Sequence, residues 1–344
     1  MTNTFGAHIR VRNVNNALSW GMRLLQTQGR PASSRLLNVV RVDGPVSTTY
    51  SKPQERVLFD PVRDANPFFH LLDSVWMLGG SQKAALPVAV LKSIAQFSDN
   101  GSTFHGAYGH RLRKAFGLDQ IENAIQLLSE KPDTRQCVLS IWNPGLDMKI
   151  DTKDMPCNDM IMLDIVDGAL NMTVCNRSND AVWGAYGANA VQFSMLQEYI
   201  AIAVGVDVGK YTQQSNNFHV YVDNPYWVYW NSVDHRNVVA SVSPYDAAQV
   251  AHRPLASSAA DVALLRRDCE TLSAAVEAFG VLTTNVSYKS SFGQQVIAPV
   301  VHAHMLYKTG CYEIAIKALD EVAAPDWRRA MQEWVLRRAH KAAQ

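Results

Sequence analysis

Apolar residues recur at helical spacing over 12–28, over 67–79 (PFFHLLDSVWMLG) behind a proline start, over 84–97, and over 119–131, which closes near Lys131–Pro132. Residues 29–66 between the first two are rich in Arg, Ser, Pro and Asp and predict a long loop region with short strands. The middle of the chain changes period. CVLSIWN (137–143) predicts a buried strand, and MIMLDIV and ALNMTVC flank Asp167–Gly168, the strongest short-range hairpin signal. Helical spacing returns over 189–204 and stops at Gly205. FHVYVD (218–223) alternates, so His219, Tyr221 and Asp223 share one face. The last 80 residues are mostly helical, with a break around 282–298. This order predicts an α+β fold and not the βαβ alternation of doubly wound nucleotide folds. No repeat or Gly/Ser linker divides the chain, so one domain over 1–344 is expected, with a mostly helical C-terminal region over 256–344.

Composition narrows the function classes. The chain has 344 residues, 47% of them apolar, and a net charge of +1. No global basic field steers it to nucleic acid, so an anionic ligand has to be caught by a few local arginines. Apolar runs are too short to span a bilayer, and the start, MTNTFGAHIRVRN, lacks an apolar signal core. A soluble cytoplasmic protein is expected (in the host cytoplasm if phage-encoded), with no membrane and no nucleic acid as partner. The five cysteines are odd in number and match no zinc spacing, which predicts free thiols and no metal. Most free cysteines are small buried hydrophobes, so a catalytic one needs its own argument.

Cys157 supplies it. It lies in DMPCND, at the junction leading into the first hairpin strand, where Pro156 fixes the approach of the chain. Arg177-Ser178-Asn179-Asp180 closes the second strand, and the Asp-Gly turn folds it back beside Cys157. An arginine there can hold an anion and lower the thiol pKa, as a thiolate nucleophile requires. The bland alternatives are a structural thiol and a polar turn.

The run from MPCND through CNRSND, WGAYGAN and NNFHVY resembles thymidylate synthase and its relatives, the pyrimidine nucleotide hydroxymethylases. Upstream, DTRQCVLSIWNPG, NGSTFHGAYGHRLR and LLDSVWMLGG resemble that family's Arg-Arg strand with its Trp-Asn turn, its Tyr-Gly segment and its Glu-Leu-Leu-Trp helix. The seven motifs stand in register over roughly residues 12–225, while the final 120 residues match poorly. The resemblance implies a thymidylate synthase-like mixed sheet flanked by helices, and a homodimer built sheet on sheet. It implies a pyrimidine nucleoside monophosphate as substrate and 5,10-methylenetetrahydrofolate as co-substrate.

It also implies roles. Cys157 adds to pyrimidine C6, which makes C5 nucleophilic enough to take a one-carbon unit. Arg177 and Ser178 grip the phosphate, with a loop arginine, for which Arg35 fits better than Arg30, and with Arg135 lent across the dimer. His219 and Tyr221 reach the sugar hydroxyl. Asp180, with Gly184, serves the folate. Asn189 reads the base edge; an amide donates to O4 and accepts from N3–H, which favours dUMP over dCMP. The WGAYGAN segment is one residue longer than usual, so Ala188 competes for that position. Tyr108 and Asn143 line the base pocket.

Five positions depart from the family pattern. Its proton-transferring glutamate is Asp73, shorter by roughly 1.5 Å, one carbon–carbon bond. Its histidine after the nucleophile is Asn158, and its second arginine is Gln136. No tryptophan occurs between residues 77 and 141, so Phe97 and Phe104 are the aromatics available ahead of the Tyr-Gly segment, and the sequence given ends KAAQ in place of an apolar tail. Less aromatic packing on the folate favours capture of the one-carbon unit by water, so C5 hydroxymethylation is expected over reductive methylation to dTMP. A binding-only relative, inactive toward nucleotides, is the alternative of another class.

Overall fold

The structure, a computed structural model, describes residues 5–34, 37–233 and 243–343. Ten strands form two sheets. They are β1 (Ala7–Val11), β2 (Arg30–Ser33), β3 (Asn38–Arg41), β4 (Val46–Tyr50), β5 (Val138–Ser140), β6 (Asn158–Val166), β7 (Ala169–Asn176), β8 (Asn179–Asp180), β9 (Asp207–Ser215) and β10 (Phe218–Tyr221). The large sheet runs β1-β4-β9-β7-β6-β5 and is mixed: β1 with β4 and β7 with β9 are parallel, and the rest are antiparallel. The small sheet runs β2-β3-β10-β8.

The sequence predicts one mixed sheet; there are two, and their relation makes the site. The parallel pair β7–β9 continues as the parallel pair β8–β10 in the small sheet. The two chains bend from one sheet to the other at Arg177–Ser178 and Asn216–Asn217, joined there by Asn216 N–H to Asn176 O and Asn179 N–H to Asn217 O. Arg177 and Ser178 therefore occupy a corner, not a strand face. The β6–β7 hairpin turns at Asp167 (φ 52) and Gly168 (φ 74), both left-handed, as a two-residue turn of this type requires. It sets Asn158 opposite Asn176, and a register shift follows between Asn158 and Met160. Such bulges re-aim side chains at the end of a strand.

The helices are α1 (Val14–Gln28), α2 (Pro67–Leu78), α3 (Ala85–Val90), α4 (Tyr108–His110), α5 (Gln120–Glu130), α6 (Asn189–Val204), α7 (Pro225–Ser232), α8 (Ala259–Phe279), α9 (Ala298–Lys308), α10 (Tyr312–Ala318) and α11 (Pro325–Ala342). The helix expected over 84–97 breaks at Leu91, whose backbone is extended (φ −131), and continues as a 3₁₀ turn over Lys92–Phe97. CVLSIWN yields only the short edge strand β5, with Val138 and Ser140 exposed and Leu139 buried.

One face of the large sheet is covered by helices α1, α5 and α6, which bury Leu139, Ile161, Leu163, Leu170, Met172 and Val174. On its other face Met160 and Met162 stay more than a third exposed. The C-terminal helices pack on α2 through α8 and α11, and all twelve residues of α2 are buried. Phe68 of α2 meets His304 and Trp334, at ring separations of 5.2 and 5.7 Å. Truncating a ring this buried costs about 3–5 kcal/mol. The break over 280–291 is tied by Asp268, which accepts from Lys289 N–H and Ser290 N–H, both at 2.8 Å. The C-terminal helices thus brace the helix that carries Asp73.

Candidate active site

Cys157 directly precedes β6, and Arg177 directly follows β7. The Arg177 N–H donates to Cys157 O at 3.0 Å, so the hairpin register itself pairs them. The guanidinium reaches back along the same loop. Its Nε donates to Pro156 O (2.7 Å) and its Nη2 to Met155 O (3.0 Å), and Nη2 stands 3.7 Å from the Cys157 sulfur. The arginine expected to grip phosphate also fixes the nucleophile loop. Ser178 beside it is partly exposed.

The thiol departs from the simple expectation. Arg177 does favour the thiolate, but burial outweighs it and pushes the Cys157 pKa up, helped by the carboxylates of Asp154, Asp159 and Asp180. Three acids around one thiol were not foreseen from an arginine motif alone.

Tyr108 lies against this centre. Burial pushes its phenol up, with the charge of Cys157 and then that of Asp154 adding to the effect. The Asn158 amide is close enough to favour the phenolate, yet without a well-directed hydrogen bond: both amide atoms of Asn158, wholly buried, have no hydrogen-bond partner among the described residues. Asp73, 6% exposed, accepts from Gln192 Nε2 at 2.6 Å. Burial raises its pKa to about 7, and Asp154 adds to the rise. Asn143 is a turn residue: its Oδ1 accepts from Gly145 N–H and its N–H donates to Asp147. It lines a cavity of ≈ 290 Å³ with Phe104, His105 and Arg111, and Cys157 is not part of that lining.

Asn189 opens α6, and Gln192 follows one turn later on the same face. Asn189 Nδ2 donates to Asn179 Oδ1 at 3.2 Å, and Asn179 in turn donates to Gln213 Oε1 and Ser215 Oγ. Gly184 fits between the two amides: a Cβ there would lie 2.6 Å from Asn179 Oδ1 and 3.1 Å from Asn189 Nδ2. Residues Ala181–Ala188 form a π-helical stretch kinked at Tyr186 and Gly187. A π turn absorbs one extra residue, which is how the long WGAYGAN segment still delivers Asn189 to this network.

Asp180 caps that stretch. Its Oδ1 accepts from Val182 N–H at 2.9 Å and from Trp183 N–H, while Oδ2 is buried without a partner among the described residues. Burial raises its pKa, against its own cap bonds and the pull of His219 and Arg63. His219 pairs with Asp180 in the β8–β10 register, and its ring meets Tyr221 at 5.4 Å. Asp223 lies past the end of β10. Arg63 places its guanidinium 5.1 Å over the half-exposed ring of Trp183 and donates to Val182 O. Arg135 is exposed, just before the edge strand β5. Arg35 lies outside the described residues.

The structure therefore gathers Cys157, Arg177 and Tyr108 at one centre, links Asn189 to Asn179, and sets His219 beside Asp180 with Tyr221 against the His219 ring. Sequence reasoning missed Asp154, Arg63, Trp183 and Gln192. Asp154 and Trp183 lay within quoted motifs, three residues before the cysteine in DMPCND and at the head of WGAYGAN, whereas Arg63 and Gln192 left no signal.

A model of the thymidylate synthase family matches residues 73–248. The deoxyuridylate hydroxymethyltransferase of Pseudomonas phage M6 is 40% identical over 345 residues, covering 96% of this chain and 94% of that protein. The chain belongs to the thymidylate synthase family. The deoxyuridylate hydroxymethyltransferase of Bacillus phage SP01 is 39% identical over 191 residues, 52% of this chain and 50% of that protein. Thymidylate synthase from T4 phage has the same fold, with a TM-score of 0.51 at 17% identity, over 59% of this chain and 75% of that one. Within the family, the matched segment begins at Asp73 and takes in every described residue of the site except Arg63.

Proposed function

We propose that this protein attaches a hydroxymethyl group to C5 of dUMP, through a covalent bond between Cys157 and C6. The observation that carries the reading is the similarity to a deoxyuridylate hydroxymethyltransferase along nearly the whole of both chains. The thiolate of Cys157 adds to C6, and the electron pair moves through C5 to O4. C5 then bonds to the one-carbon unit, which 5,10-methylenetetrahydrofolate supplies at the oxidation level of formaldehyde. Loss of the C5 proton and departure of tetrahydrofolate, as the bond between its nitrogen and the one-carbon unit breaks, leave an exocyclic methylene on the base. Water adds to it, and Cys157 departs as C5–C6 unsaturation is restored.

The chain's residues suit these steps. Arg177 and Ser178 at the sheet corner hold the phosphate, with Arg35 and with Arg135 of a second subunit. Asn189, steadied by Asn179, turns its Oδ1 and its remaining N–H to the uracil edge. His219 and Tyr221 take the sugar hydroxyl, Tyr108 lies over the reacting carbons, and Asn143 supports the pocket wall. Asp73, poised near neutrality, relays protons. The orphaned, buried Oδ2 of Asp180 fits the N–H groups of a pterin, with Gly184 leaving space and the Trp183–Arg63 pair offering a flat face. The exposed sheet face around Met160 and Met162 fits a homodimer interface, with Arg135 near its edge.

The test is the product formed from dUMP and methylenetetrahydrofolate. Mass spectrometry should find 5-hydroxymethyl-dUMP, with no stoichiometric rise in dihydrofolate. Methylated nucleotide with dihydrofolate instead overturns the reading. Absence of a Cys157 adduct with 5-fluoro-dUMP and the folate removes the enzyme reading altogether.

A further inference from the structure

Two features near Cys157 are unused by the steps above. Asp154 stands three residues before the nucleophile, with its Oδ2 accepting from Gly106 N–H at 2.7 Å. The loop leading to Tyr108 is pressed against it: a Cβ on Gly106 would lie 2.7 Å from Asp154 O. The Asp154 charge acts on Cys157, Tyr108 and Asp73 alike. The Gly106 bond engages Oδ2, so Oδ1 can accept from a water. The second feature is Asn158, whose wholly buried amide leaves both polar atoms unpartnered beside Tyr108. Buried polar groups are nearly always paired, and where protein offers nothing, an ordered water fills the gap.

We propose that Asp154 and Asn158 hold the water that attacks the exocyclic methylene, with Asp154 taking its proton. The inference rests on the hydroxymethylase reading. In this step the water oxygen bonds to the methylene carbon, and one water proton passes to the Asp154 carboxylate. The methylene π pair moves to C5 and on to O4. The O4 enolate then collapses, re-forming the C5–C6 double bond and expelling the Cys157 thiolate. No oxidant or reductant is needed. Burial, less offset by the Gly106 hydrogen bond, raises the Asp154 pKa to about 6, against about 7 for Asp73. Near neutrality this pair divides the work, Asp154 mostly ionised as a base and Asp73 about half protonated and able to donate.

The experiment compares wild type, Asp154→Asn and Asp154→Glu. Single-turnover tritium release from 5-tritiated dUMP reports the steps up to loss of the C5 proton. Hydroxymethyl product reports water capture. In D154N, tritium release should persist while hydroxymethyl product falls on the order of 10²-fold, the scale of one general base. Added 2-mercaptoethanol should trap the waiting methylene as a thioether. Iodoacetamide should alkylate Cys157 faster in D154N at pH 7.5, since a neighbouring negative charge is gone. D154E should recover part of the water step and its acid limb near pH 6. Hydroxymethyl formation by D154N within about twofold of wild type, with an unchanged pH profile, overturns the proposal. So does an equal loss of tritium release and product in both variants. A wild-type enzyme that makes only methylated nucleotide sinks the functional reading, and the proposal with it.

Discussion

The guanidinium of Arg177 stands 3.7 Å from the sulfur of Cys157 while holding the carbonyls of Met155 and Pro156. One side chain thus sets both the position and the charge environment of the nucleophile. Arg177→Ala should lower kcat/KM for dUMP on the order of 10²-fold, since hydrogen bonds to a charged group contribute about 1.5–3 kcal/mol each. It should also slow alkylation of Cys157 by iodoacetamide at fixed pH. Arg177→Lys keeps the charge but loses the fork, so it should restore alkylation more fully than turnover. Equal recovery of both would show that the main-chain clasp has no effect on catalysis.

Asp73 links stability to pH. Burial raises its pKa from the ordinary 3.8 to about 7. A carboxyl with a folded pKa above its unfolded value binds its proton more tightly in the fold. Its contribution is therefore full below about pH 4 and is lost as pH rises through 7. Asp73→Asn cannot ionise, so it should gain stability over wild type as pH climbs from 5 to 8.5, by up to about 3 kcal/mol. Urea melts at several pH values measure this, and turnover should fall in the same variant. A difference that does not change with pH would place the Asp73 charge in solvent.

Asn189 is expected to choose the base. Asn189→Asp offers only acceptors, which suits the N4 amine of cytosine and repels the uracil O4. Turnover of dUMP should drop by about 10² or more, with measurable gain on dCMP, as hydrogen-bonding sites reject mismatched partners strongly. Unchanged preference would give the reading of the base to another residue.

Asp180 has two separable duties. Asp180→Ala loses the cap on Val182 and Trp183, costing about 1 kcal/mol of stability. Asp180→Asn keeps an acceptor for the cap but changes the orphaned atom. Its stability should stay near wild type while KM for methylenetetrahydrofolate rises. A KM unmoved in D180N would detach this carboxylate from the folate.

Arg135 tests the dimer. Arg135→Ala and Cys157→Ser should each be nearly inactive alone. Mixed and reassociated, they should regain about a quarter of wild-type activity, because half of the dimers then hold one complete site. No recovery on mixing would mean that Arg135 serves its own subunit.

Much of this was legible in the residues. The Asp-Gly turn predicts the hairpin, and the hairpin predicts that Arg177 returns to Cys157, because turn and register are local matters. His219 and Tyr221 share a face as alternation requires. The second sheet was hidden, because nothing in the pattern marks where a strand pair leaves one sheet for another. The all-round apolar α2 gave no hint of which elements cover it. Asp154 meets Gly106, and Arg63 meets Trp183, only through tertiary packing. CVLSIWN read as a buried strand because an apolar run does not say whether it ends up central or at an edge.

The π-helical stretch over Ala181–Ala188 behaves as a phase adjuster for α6. Each residue of an α-helix advances the side chain by about 100°. Deleting one residue here would relax the stretch to an α-helix and swing Asn189 and Gln192 together away from Asn179 and Asp73. The base reader and the carboxylate partner are thus locked to one dial. In this scaffold, insertions and deletions between the cap and α6 retune what the pocket recognises and how protons reach it in a single move, whereas point substitutions change one of these at a time.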